Sequence, residues 1–349
     1  LGNTRVIGLR DCSVQRNNQK LLEESGSTLL SESLRAHVFA CAEKIAEAVD
    51  YVGAGTVEFI YDVPNDAIYF MEMNTRLQVE HPVTEAVTGV DIVQQQFHIA
   101  SGGSIEALNP KESGYALEVR VNAERAAIDA EGAVTFLPTP GKITRCDLPE
   151  RSDIELISMA GEGKVVSPFY DSLIVQIIVR GDDRADTVAR MSSYLDSVVI
   201  EGVSTNIRLV QRILKDSVFL EGDYDTTYLP KFLARTDVPG LVSEIEAAAG
   251  NALEALDLDS LRIQDSSELR VLAPSTGVFY RTPSPSEPEY VNVGDQVGVD
   301  DVLCVLEAMK MFSPFRLAAC SGAGGELYPS QDRYQVKRIN VANGQQVNE

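Results

Sequence analysis

The chain has 349 residues, with 30 Lys and Arg against 52 Asp and Glu, and a formal net charge of −22. At about 100–200 residues per domain, this length predicts two or three domains. Hydrophobic residues make up 44% and charged residues 23%, which is typical of a globular protein rather than a disordered one. The acidic balance argues against a nucleic-acid binder, which needs clustered Lys and Arg to neutralise phosphates, and against a protein of anionic membrane surfaces.

Cysteine and histidine are scarce and scattered along the chain. None shows the spacing of a zinc site, and an odd number of cysteines argues against a disulfide framework. These residues are Cys12, Cys41, Cys146, Cys304, Cys320, His37, His81 and His98. This usage predicts a reducing cytoplasm as the setting. No apolar run approaches the roughly 20 residues that cross a bilayer, and no signal peptide is recognisable, so we expect no membrane partner.

Apolar periodicity and turn residues predict mixed α and β structure over the first 235 residues. The predicted elements are a helix from Leu34 to Val49, strands Thr56–Tyr61 and Ala67–Met73 around a turn at Val63–Asp66, a helix from Val83 to Phe97 that ends at Gly102 and Gly103, strands Tyr115–Asn122 and Leu173–Val179, and helices from Ala185 to Leu195 and from Ile207 to Leu214. The first two strands form a hairpin on this interpretation.

The remainder of the chain changes character twice. Residues 236–268 are rich in Asp and Glu, and we interpret them as an acidic, partly helical linker, although a solvated surface helix explains them equally well. From residue 269, short apolar runs and Gly/Pro turns predict an all-β domain. In it Val291–Val297 is similar to Ile339–Val347, a repeat typical of a quasi-symmetric fold that would need a closing strand after Glu349. The predicted domains are 1–103, 104–235, the linker 236–268, and 269–349.

The segment from Glu72 to Glu80 places a polar side chain at every second position. These side chains belong to Glu72, Asn74, Arg76, Gln78 and Glu80. If the segment is extended, all five share one face, because side chains alternate across a strand. A solvent-facing edge strand would show the same pattern.

The predicted hairpin sets Glu58 directly across from Glu72. Two carboxylates about 4 Å apart repel by roughly 4 kcal/mol at an effective dielectric of about 20. A favourable cross-strand pair returns only about 0.2–1 kcal/mol. A divalent cation would remove the conflict, because Mg²⁺ binds one or two carboxylates together with substrate phosphates. Full exposure, a shifted register or one protonated carboxyl would remove it too.

Three basic residues are considered as candidate functional residues. Arg120 on a predicted strand and Lys20 in a polar stretch would each, alone, indicate only a surface ion pair or a solvated side chain. Lys310 lies between two methionines in Glu307–Met311, just after the predicted strand Val302–Leu306. Exposed methionines on both sides are unfavourable unless an apolar partner covers them or an enzyme reads them. This setting is typical of a lysine presented for covalent modification.

Several motifs together resemble the biotin carboxylase component of biotin-dependent carboxylases. Over residues 1–233 these motifs are Asp11–Arg16, Gly53–Phe59, Met71–Glu85, Phe136–Thr144 and Tyr170–Ser172. Ala273–Phe279 through Glu307–Met311 resembles the biotin carboxyl carrier domain, and Tyr280–Ser286 is similar to the thumb of acetyl-CoA carboxylase carriers. Lipoyl domains share that fold, but the Met-Lys-Met setting favours biotin. The resemblance implies an α+β fold, the C-terminal part of an ATP-grasp biotin carboxylase, followed by a small all-β biotinyl/lipoyl-like flattened barrel.

The resemblance also implies roles at the nucleotide. Glu58 and Glu72 would bind the Mg²⁺ (or Mn²⁺) that accompanies ATP, and Asn74 would assist this metal site. Lys20 would lie near the phosphates as a catalytic group. These roles agree with the conflict between the two carboxylates of the predicted hairpin.

A second set of implied roles concerns bicarbonate and biotin. The bicarbonate-binding groups would be those of Arg76, Gln78, the backbone of Val79, and Glu80. Glu80 would also be the general base, and Arg76 would count among the catalytic residues. Arg120 would stabilise the enolate of biotin, and Lys310 would carry biotin as an amide.

The implied reaction is the ATP-dependent carboxylation of biotin through carboxyphosphate. The implied partners are ATP, bicarbonate, a carboxyltransferase domain or subunit, a biotin protein ligase and a second copy of the chain. The thumb favours acetyl-CoA carboxylase, an enzyme of fatty acid biosynthesis. Propionyl- and other acyl-CoA carboxylases, pyruvate carboxylase, urea carboxylase and a non-catalytic biotinylated carrier stay as alternatives.

The chain departs from the family pattern in several places. The family's N-terminal domain and glycine-rich ATP lid have no counterpart, and Gln176 stands where many relatives have lysine. Asn17 and Asn18 replace a usually basic pair, and residues 318–325 look like an insertion. We therefore expect residues 1–349, which begin with Leu1 rather than Met, to be a fragment that is inactive alone.

Overall fold

The structure, a computed structural model, describes residues 4–16, 19–128, 134–167, 170–250, 277–284, 287–298, 301–308, 311–316 and 333–347. The chain divides into two compact units. Unit 1 contains residues 1–137, 143–164 and 173–251, and unit 2 contains residues 138–142, 165–172 and 252–349. Several residues singled out in the sequence lie outside the described ranges, namely Asn17, Asn18, Lys310, Cys320, the insertion-like segment 318–325 and the part of the predicted linker from residue 251.

Unit 1 is α+β. Its helices are α1 (Glu32–Ala48), α2 (His81–Thr88), α3 (Ile92–Ala100), α4 (Arg184–Leu195), α5 (Ile207–Ile213), α6 (Ser217–Glu221), α7 (Tyr228–Arg235) and α8 (Val238–Ala248). The strands up to residue 201, of which β9 and β12 belong to unit 2, are β1 (Gln15–Arg16), β2 (Gln19–Lys20), β3 (Leu22–Glu24), β4 (Thr56–Asp62), β5 (Ala67–Asn74), β6 (Tyr115–Asn122), β7 (Glu124–Ile128), β8 (Val134–Pro138), β9 (Gly141–Lys142), β10 (Arg145–Asp147), β11 (Ile154–Ser158), β12 (Val165–Val166), β13 (Leu173–Gly181) and β14 (Val199–Glu201). In the described part of the chain, no helix is both long and apolar enough to cross a bilayer.

A four-stranded antiparallel sheet forms the centre of unit 1, in the order β11-β13-β6-β3. Helices α2 and α4 pack against its two middle strands, β6 and β13. Both strands are buried along nearly their whole length, as expected of strands that other elements cover. Polar residues on them, such as Glu118 and Asn122, are therefore buried too. A buried charge needs a partner, so this sheet is where an electrostatic site can be built.

The predicted hairpin is confirmed. β4 and β5 pair in antiparallel fashion with Glu58 and Glu72 as Cα partners, and a register shift follows between Glu58 and Phe59. A single 3₁₀ turn at Val63–Asn65 joins them, and Asp66 then adopts a left-handed conformation with φ 49°. Aspartate tolerates this region better than most residues, which explains its place at the end of the loop.

The helix predicted from Val83 to Phe97 is two helices. Gly89 ends α2 with φ 67°, a left-handed conformation that glycine adopts without a Cβ clash. Asp91 then caps α3 by accepting a hydrogen bond from the Gln94 N–H at 2.7 Å. The apolar spacing continued across this break, so periodicity alone did not reveal it.

The first part of the predicted linker differs from the prediction. Residues Val238–Ala248 form α8, which belongs to unit 1 and packs against α5, β7 and β14. Its Leu241 and Ile245 are buried, and Glu244 pairs with Arg212 at 2.8 Å. The acidic composition described the exposed face of a packed helix, the second explanation that the sequence had left open.

Unit 2 is all-β among its described residues. Beside the β9–β12 pair it contains β15 (Gly277–Tyr280), β16 (Gln296–Val297), β17 (Val302–Ala308), β18 (Met311–Arg316), β19 (Tyr334–Gln335) and β20 (Gln345–Val347). One sheet has the order β18-β17-β15-β20, and β16 pairs with β19. One cluster of buried residues in it consists of Cys304, Leu306 and Phe315.

The repeated segments of unit 2 form like turns. In the first copy the Asn292 N–H donates to Asp295 Oδ2 at 2.7 Å, and in the second the Ala342 N–H donates to Gln345 Oε1 at 2.9 Å. Each turn contains a glycine with positive φ, Gly294 or Gly344. The sequence repeat is thus reflected in local backbone geometry.

Candidate active site

Glu80 is the centre of a buried charge cluster in unit 1. It lies immediately before α2, and 3% of its surface is exposed. The Lys20 Nζ donates to its Oε1, and the Arg120 Nη2 donates to its Oε2 at 2.6 Å. Strand β2 carries Lys20, and the central strand β6 carries Arg120. One carboxylate is therefore shared by two cations from different strands.

The two cations decide the charge state of this carboxylate. Burial would by itself raise the pKa of Glu80, but Lys20 and Arg120 outweigh it and hold the pKa below its ordinary value. Burial opposes the charged form of Lys20, yet Glu23 and Glu80 raise the pKa of that ammonium. At neutral pH Glu80 is therefore ionised and Lys20 is protonated, the charge states of a base next to an electrophilic cation.

The two carboxylates of the hairpin stay side by side. The Asn74 Nδ2 donates to Glu58 Oε1 at 3.1 Å and to Glu72 Oε1 at 2.9 Å. Glu58 Oε1 also accepts from Gln78 Nε2 at 2.8 Å and from Lys20 Nζ at 3.4 Å. The register alternative of the sequence interpretation is thus excluded.

These oxygen-bearing side chains fit a magnesium ion. Mg²⁺ prefers oxygen ligands and binds through one or two carboxylates together with substrate phosphates. Over the described ranges no group of three or more His, Cys, Asp or Glu side chains could hold a metal by itself. Glu58 and Glu72, with the amide of Asn74, would therefore bind an ion only when a substrate supplies further oxygens.

Arg10 and Glu23 join the site without having been expected from the sequence. Arg10 Nη2 donates to Gln78 Oε1 at 2.6 Å, and Arg10 Nε pairs with the buried Glu23 at 2.9 Å. Because a guanidinium only donates and a carboxylate only accepts, Arg10 and Glu58 together leave one orientation for the Gln78 amide. Burial raises the pKa of Glu23 to about 8. A lone basic residue before a motif carries no pattern that would have revealed it.

The extended conformation considered for residues 72–80 holds only as far as Asn74. β5 ends there, and the chain turns at Val79 and Glu80 before α2 begins. Glu72, Asn74, Gln78 and Glu80 still meet, but through this turn rather than through alternation on one strand. Arg76 does not join them: it is exposed, and its Nη1 donates to the Leu77 carbonyl at 3.3 Å.

Two further buried groups lie behind the cluster. Glu118 is fully buried on β6, next to the Arg120 Nε at 3.3 Å, and burial raises its pKa to about 7. Gln176 on β13 donates its Nε2–H to the Val79 carbonyl at 2.8 Å. The sequence singled out Gln176 only as a departure from a family pattern.

The raised pKa of Glu118 predicts a pH-dependent stability. Its folded-state pKa of about 7 exceeds the ordinary value of 4.5, so stability from this group is complete below about 4.5 and falls as pH rises through 7. Glu118→Gln removes that loss. In urea unfolding, the free energy of unfolding of E118Q minus that of wild type should therefore be more positive at pH 8 than at pH 5. Glu155→Gln, at an exposed position of β11, is the control, and an equal E118Q difference at both pH values would contradict the expectation.

Three family models match the chain in succession. "Carbamoyl-phosphate synthase L chain, ATP binding domain" covers residues 1–108, "Biotin carboxylase C-terminal domain" covers residues 118–231, and "Biotin-requiring enzyme" covers residues 270–318. The first two contain the charge cluster around Glu80, and the third contains Lys310.

Curated relatives and solved structures match about two thirds of the chain. "Biotin carboxylase 1" of Bacillus subtilis is 44% identical over 241 residues, which is 68% of this chain and 51% of that protein. "Biotin carboxylase" of Pseudomonas aeruginosa is 42% identical over 66% of this chain and 50% of that protein. The biotin carboxylase domain dimer of the Hydrogenobacter thermophilus 2-oxoglutarate carboxylase, in complex with MgADP, ADP and bicarbonate, has a TM-score of 0.60 and 40% identity over 68% of this chain and 50% of that one.

The chain therefore spans about half the length of the curated relatives that it matches. The order of the three matched domains and the identity to biotin carboxylases support one assignment. The chain belongs to the biotin-dependent carboxylases.

Proposed function

We propose that the protein containing this chain carboxylates biotin with bicarbonate at the expense of ATP. The observation that carries the proposal is the ionised Glu80 carboxylate, held between Lys20 and Arg120 beside the Glu58–Glu72 pair. A base, two cations and a pair of metal-binding carboxylates in one buried cluster are what phosphoryl transfer to a weak oxygen nucleophile requires.

At the nucleotide, Glu58, Glu72 and Asn74 would hold Mg²⁺ or Mn²⁺. The ion would neutralise charge on the phosphates of ATP. Lys20 lies within 3.4 Å of Glu58 and also contacts Glu80, so its ammonium stands between the metal side and the base side of the cluster. In that place it would stabilise negative charge that develops on the transferred phosphoryl group.

At bicarbonate, Glu80 would act as the general base. It removes the bicarbonate proton while a bicarbonate oxygen attacks the γ-phosphorus of ATP, which gives carboxyphosphate and ADP. Gln78, the Val79 N–H and Arg76 would donate hydrogen bonds to bicarbonate. Because Arg76 is exposed, its side chain must turn inward when the anion binds.

At biotin, Arg120 would stabilise the enolate that forms when the ureido nitrogen loses its proton. Carboxyphosphate would break into CO₂ and phosphate. The phosphate would take the ureido proton and leave, and the nitrogen would bond to the carbon of CO₂. Arg120 suits the role because its guanidinium cannot be deprotonated in a protein and is held by carboxylates on two sides, Glu80 and Glu118. Biotin itself would be attached to Lys310.

Among the possible acceptors of the carboxyl group, we favour acetyl-CoA. The segment similar to a carrier thumb closes on itself, because the Tyr290 N–H donates to the Arg281 carbonyl at 2.8 Å and Arg281 pairs with Glu289 at 2.6 Å. These two contacts, which join residue 281 to residues 289 and 290, support a thumb. A thumb in turn favours an acetyl-CoA carboxylase of fatty acid biosynthesis. Other acyl-CoA, pyruvate and urea carboxylases are the alternatives, and a carboxylase assay with each acceptor distinguishes them.

The proposal includes partners beyond the reactants. A carboxyltransferase domain or subunit would take the carboxyl group, a biotin protein ligase would modify Lys310, and two copies of the chain would associate. The scattered cysteines, none of which forms a disulfide among the described residues, support a cytoplasmic setting. A non-catalytic carrier is disfavoured by the intact cluster around Glu80, which such a protein would not need.

The role of Glu80 predicts the effect of replacing it. Glu80→Gln keeps the shape of the side chain but cannot accept the bicarbonate proton, so bicarbonate-dependent ATP hydrolysis should fall by at least about 100-fold. The assay is release of phosphate by the longest natural form of the protein that contains residues 1–349. Glu155→Gln should keep wild-type activity, and an E80Q protein with near-normal turnover would refute the base assignment.

The incomplete coverage of relatives predicts a second result. Residues 1–349 alone should not hydrolyse ATP in response to bicarbonate, because the chain spans only about half of each biotin carboxylase. Joining it to the part of the Bacillus subtilis relative that it does not cover should produce that activity. Bicarbonate-dependent turnover by the purified 349-residue chain would show the expectation to be wrong.

The carrier assignment has its own test. After co-expression with a biotin protein ligase, a streptavidin blot should detect the chain, and Lys310→Arg should abolish the signal. Lys337→Arg, elsewhere in unit 2, should retain it. Equal signals from wild type and K310R would place the modification at another residue or exclude it.

A further inference from the structure

The turn that carries Glu80 is held from behind by a residue to which no role has been given. The Gln78 carbonyl accepts a hydrogen bond from the His81 N–H at 3.3 Å, so residues 78–81 form a β-turn with Val79 and Glu80 at its centre. Glu80 has φ −82° and ψ 9°, the third-residue conformation of a type I turn. The peptide that joins Val79 to Glu80 is the part of such a turn that can rotate to give a type II turn.

Gln176 binds the carbonyl of this peptide. Its Nε2–H donates to the Val79 carbonyl at 2.8 Å, and both groups lie close to the buried sheet, with Gln176 8% exposed. Rotation of the peptide would turn the Val79 carbonyl away and break its hydrogen bond with the Gln176 amide. It would also force φ of Glu80 to about +80°, a region that favours glycine. The bond therefore locks the turn in the type I form.

The placement of Gln176 on the sheet links it to the charge cluster. Gln176 on β13 and Arg120 on β6 are direct Cα partners in the antiparallel pair, so their side chains leave the same face. Arg120 holds the carboxylate of Glu80, and Gln176 holds the peptide before Glu80. Two neighbouring side chains of one strand pair thus fix both ends of the same residue.

We propose that Gln176 is a positioning residue for the bicarbonate site, which acts by locking the Val79–Glu80 peptide. The inference rests on the proposed function for its substrate, while the turn that Gln176 holds is a property of the structure itself. With the lock in place, Glu80 follows a fixed peptide, and its carboxylate faces the anion in one arrangement. Without it, the turn samples a second arrangement, and part of the bicarbonate affinity is lost.

The test compares three variants in the longest natural form of the protein. Gln176→Met keeps the length of the side chain but cannot donate, and Gln176→Lys keeps a donor for the carbonyl. Gln211→Met is the matched control. Gln211, on α5, is also a buried glutamine, and its Nε2–H donates to Asp196 Oδ1 at 2.8 Å. Any effect of merely losing a buried amide hydrogen bond should appear in Q211M as well.

The expected result is a specific change in KM. Loss of one hydrogen bond predicts a KM for bicarbonate raised about 2- to 12-fold in Q176M, with KM for ATP unchanged. Q176K should stay within about twofold of wild type for both. Q211M should lower the melting temperature as much as Q176M but leave both KM values unchanged. A folded Q176M with wild-type bicarbonate KM, or a Q211M with the same KM increase, would overturn the proposal.

A second measurement separates this proposal from the proposed function. Amide hydrogen exchange of residues 76–84, followed by mass spectrometry, should be faster in Q176M and normal in Q176K and Q211M, whether or not the protein hydrolyses ATP. If wild type shows no bicarbonate-dependent activity, the proposed function fails while the exchange still reports the lock. Unchanged exchange in Q176M overturns the lock in either case. If Q176M does not fold, Gln176→Asn, whose amide is too short to reach Val79, replaces it in both measurements.

Discussion

Burial opposes the charged form of a carboxylate, and at Glu80 two contacting cations outweigh that burial. Lys20 takes one oxygen and Arg120 the other, which leaves no direction in which the carboxylate can turn without losing a partner. Most of the site follows from this constraint. Lys20 lies on β2 and Arg120 on β6. The turn before α2 therefore lies where Glu80 can contact both of them.

The central sheet applies the same rule elsewhere. Glu24, at the end of β3, is buried and accepts hydrogen bonds from Tyr115 and Tyr224, while Arg184 donates to it through Nε at 2.7 Å. Glu24 thereby joins β3 to α4, the helix that carries Arg184. Glu118 contacts Arg120 at 3.3 Å, and burial raises its pKa to about 7.

The charges also explain why the site depends on neutral amides. Asn74, Gln78 and Gln176 donate hydrogen bonds to carboxylates and to a backbone carbonyl without adding charge to the cluster. Each amide bridges two elements: Asn74 the two hairpin carboxylates, Gln78 the hairpin and Arg10, and Gln176 the sheet and the turn. The amides set geometry, whereas Lys20, Arg120 and Glu80 set charge.

Local rules of sequence determined the elements and much of the site. Alternation and turn residues predicted the hairpin and its Glu58–Glu72 pairing, and the family motifs pointed to Lys20, Glu80 and Arg120 before any geometry was known. Alternation failed after Asn74, because a strand continues only while a neighbour supplies hydrogen bonds, and β4 begins at Thr56, the partner of Asn74. Only the tertiary structure therefore decided that Arg76 stays outside the cluster, that Arg10 and Gln176 belong to it, and that the acidic stretch after residue 236 begins as a packed helix. These outcomes depend on contacts between residues far apart in the chain, which no local pattern records.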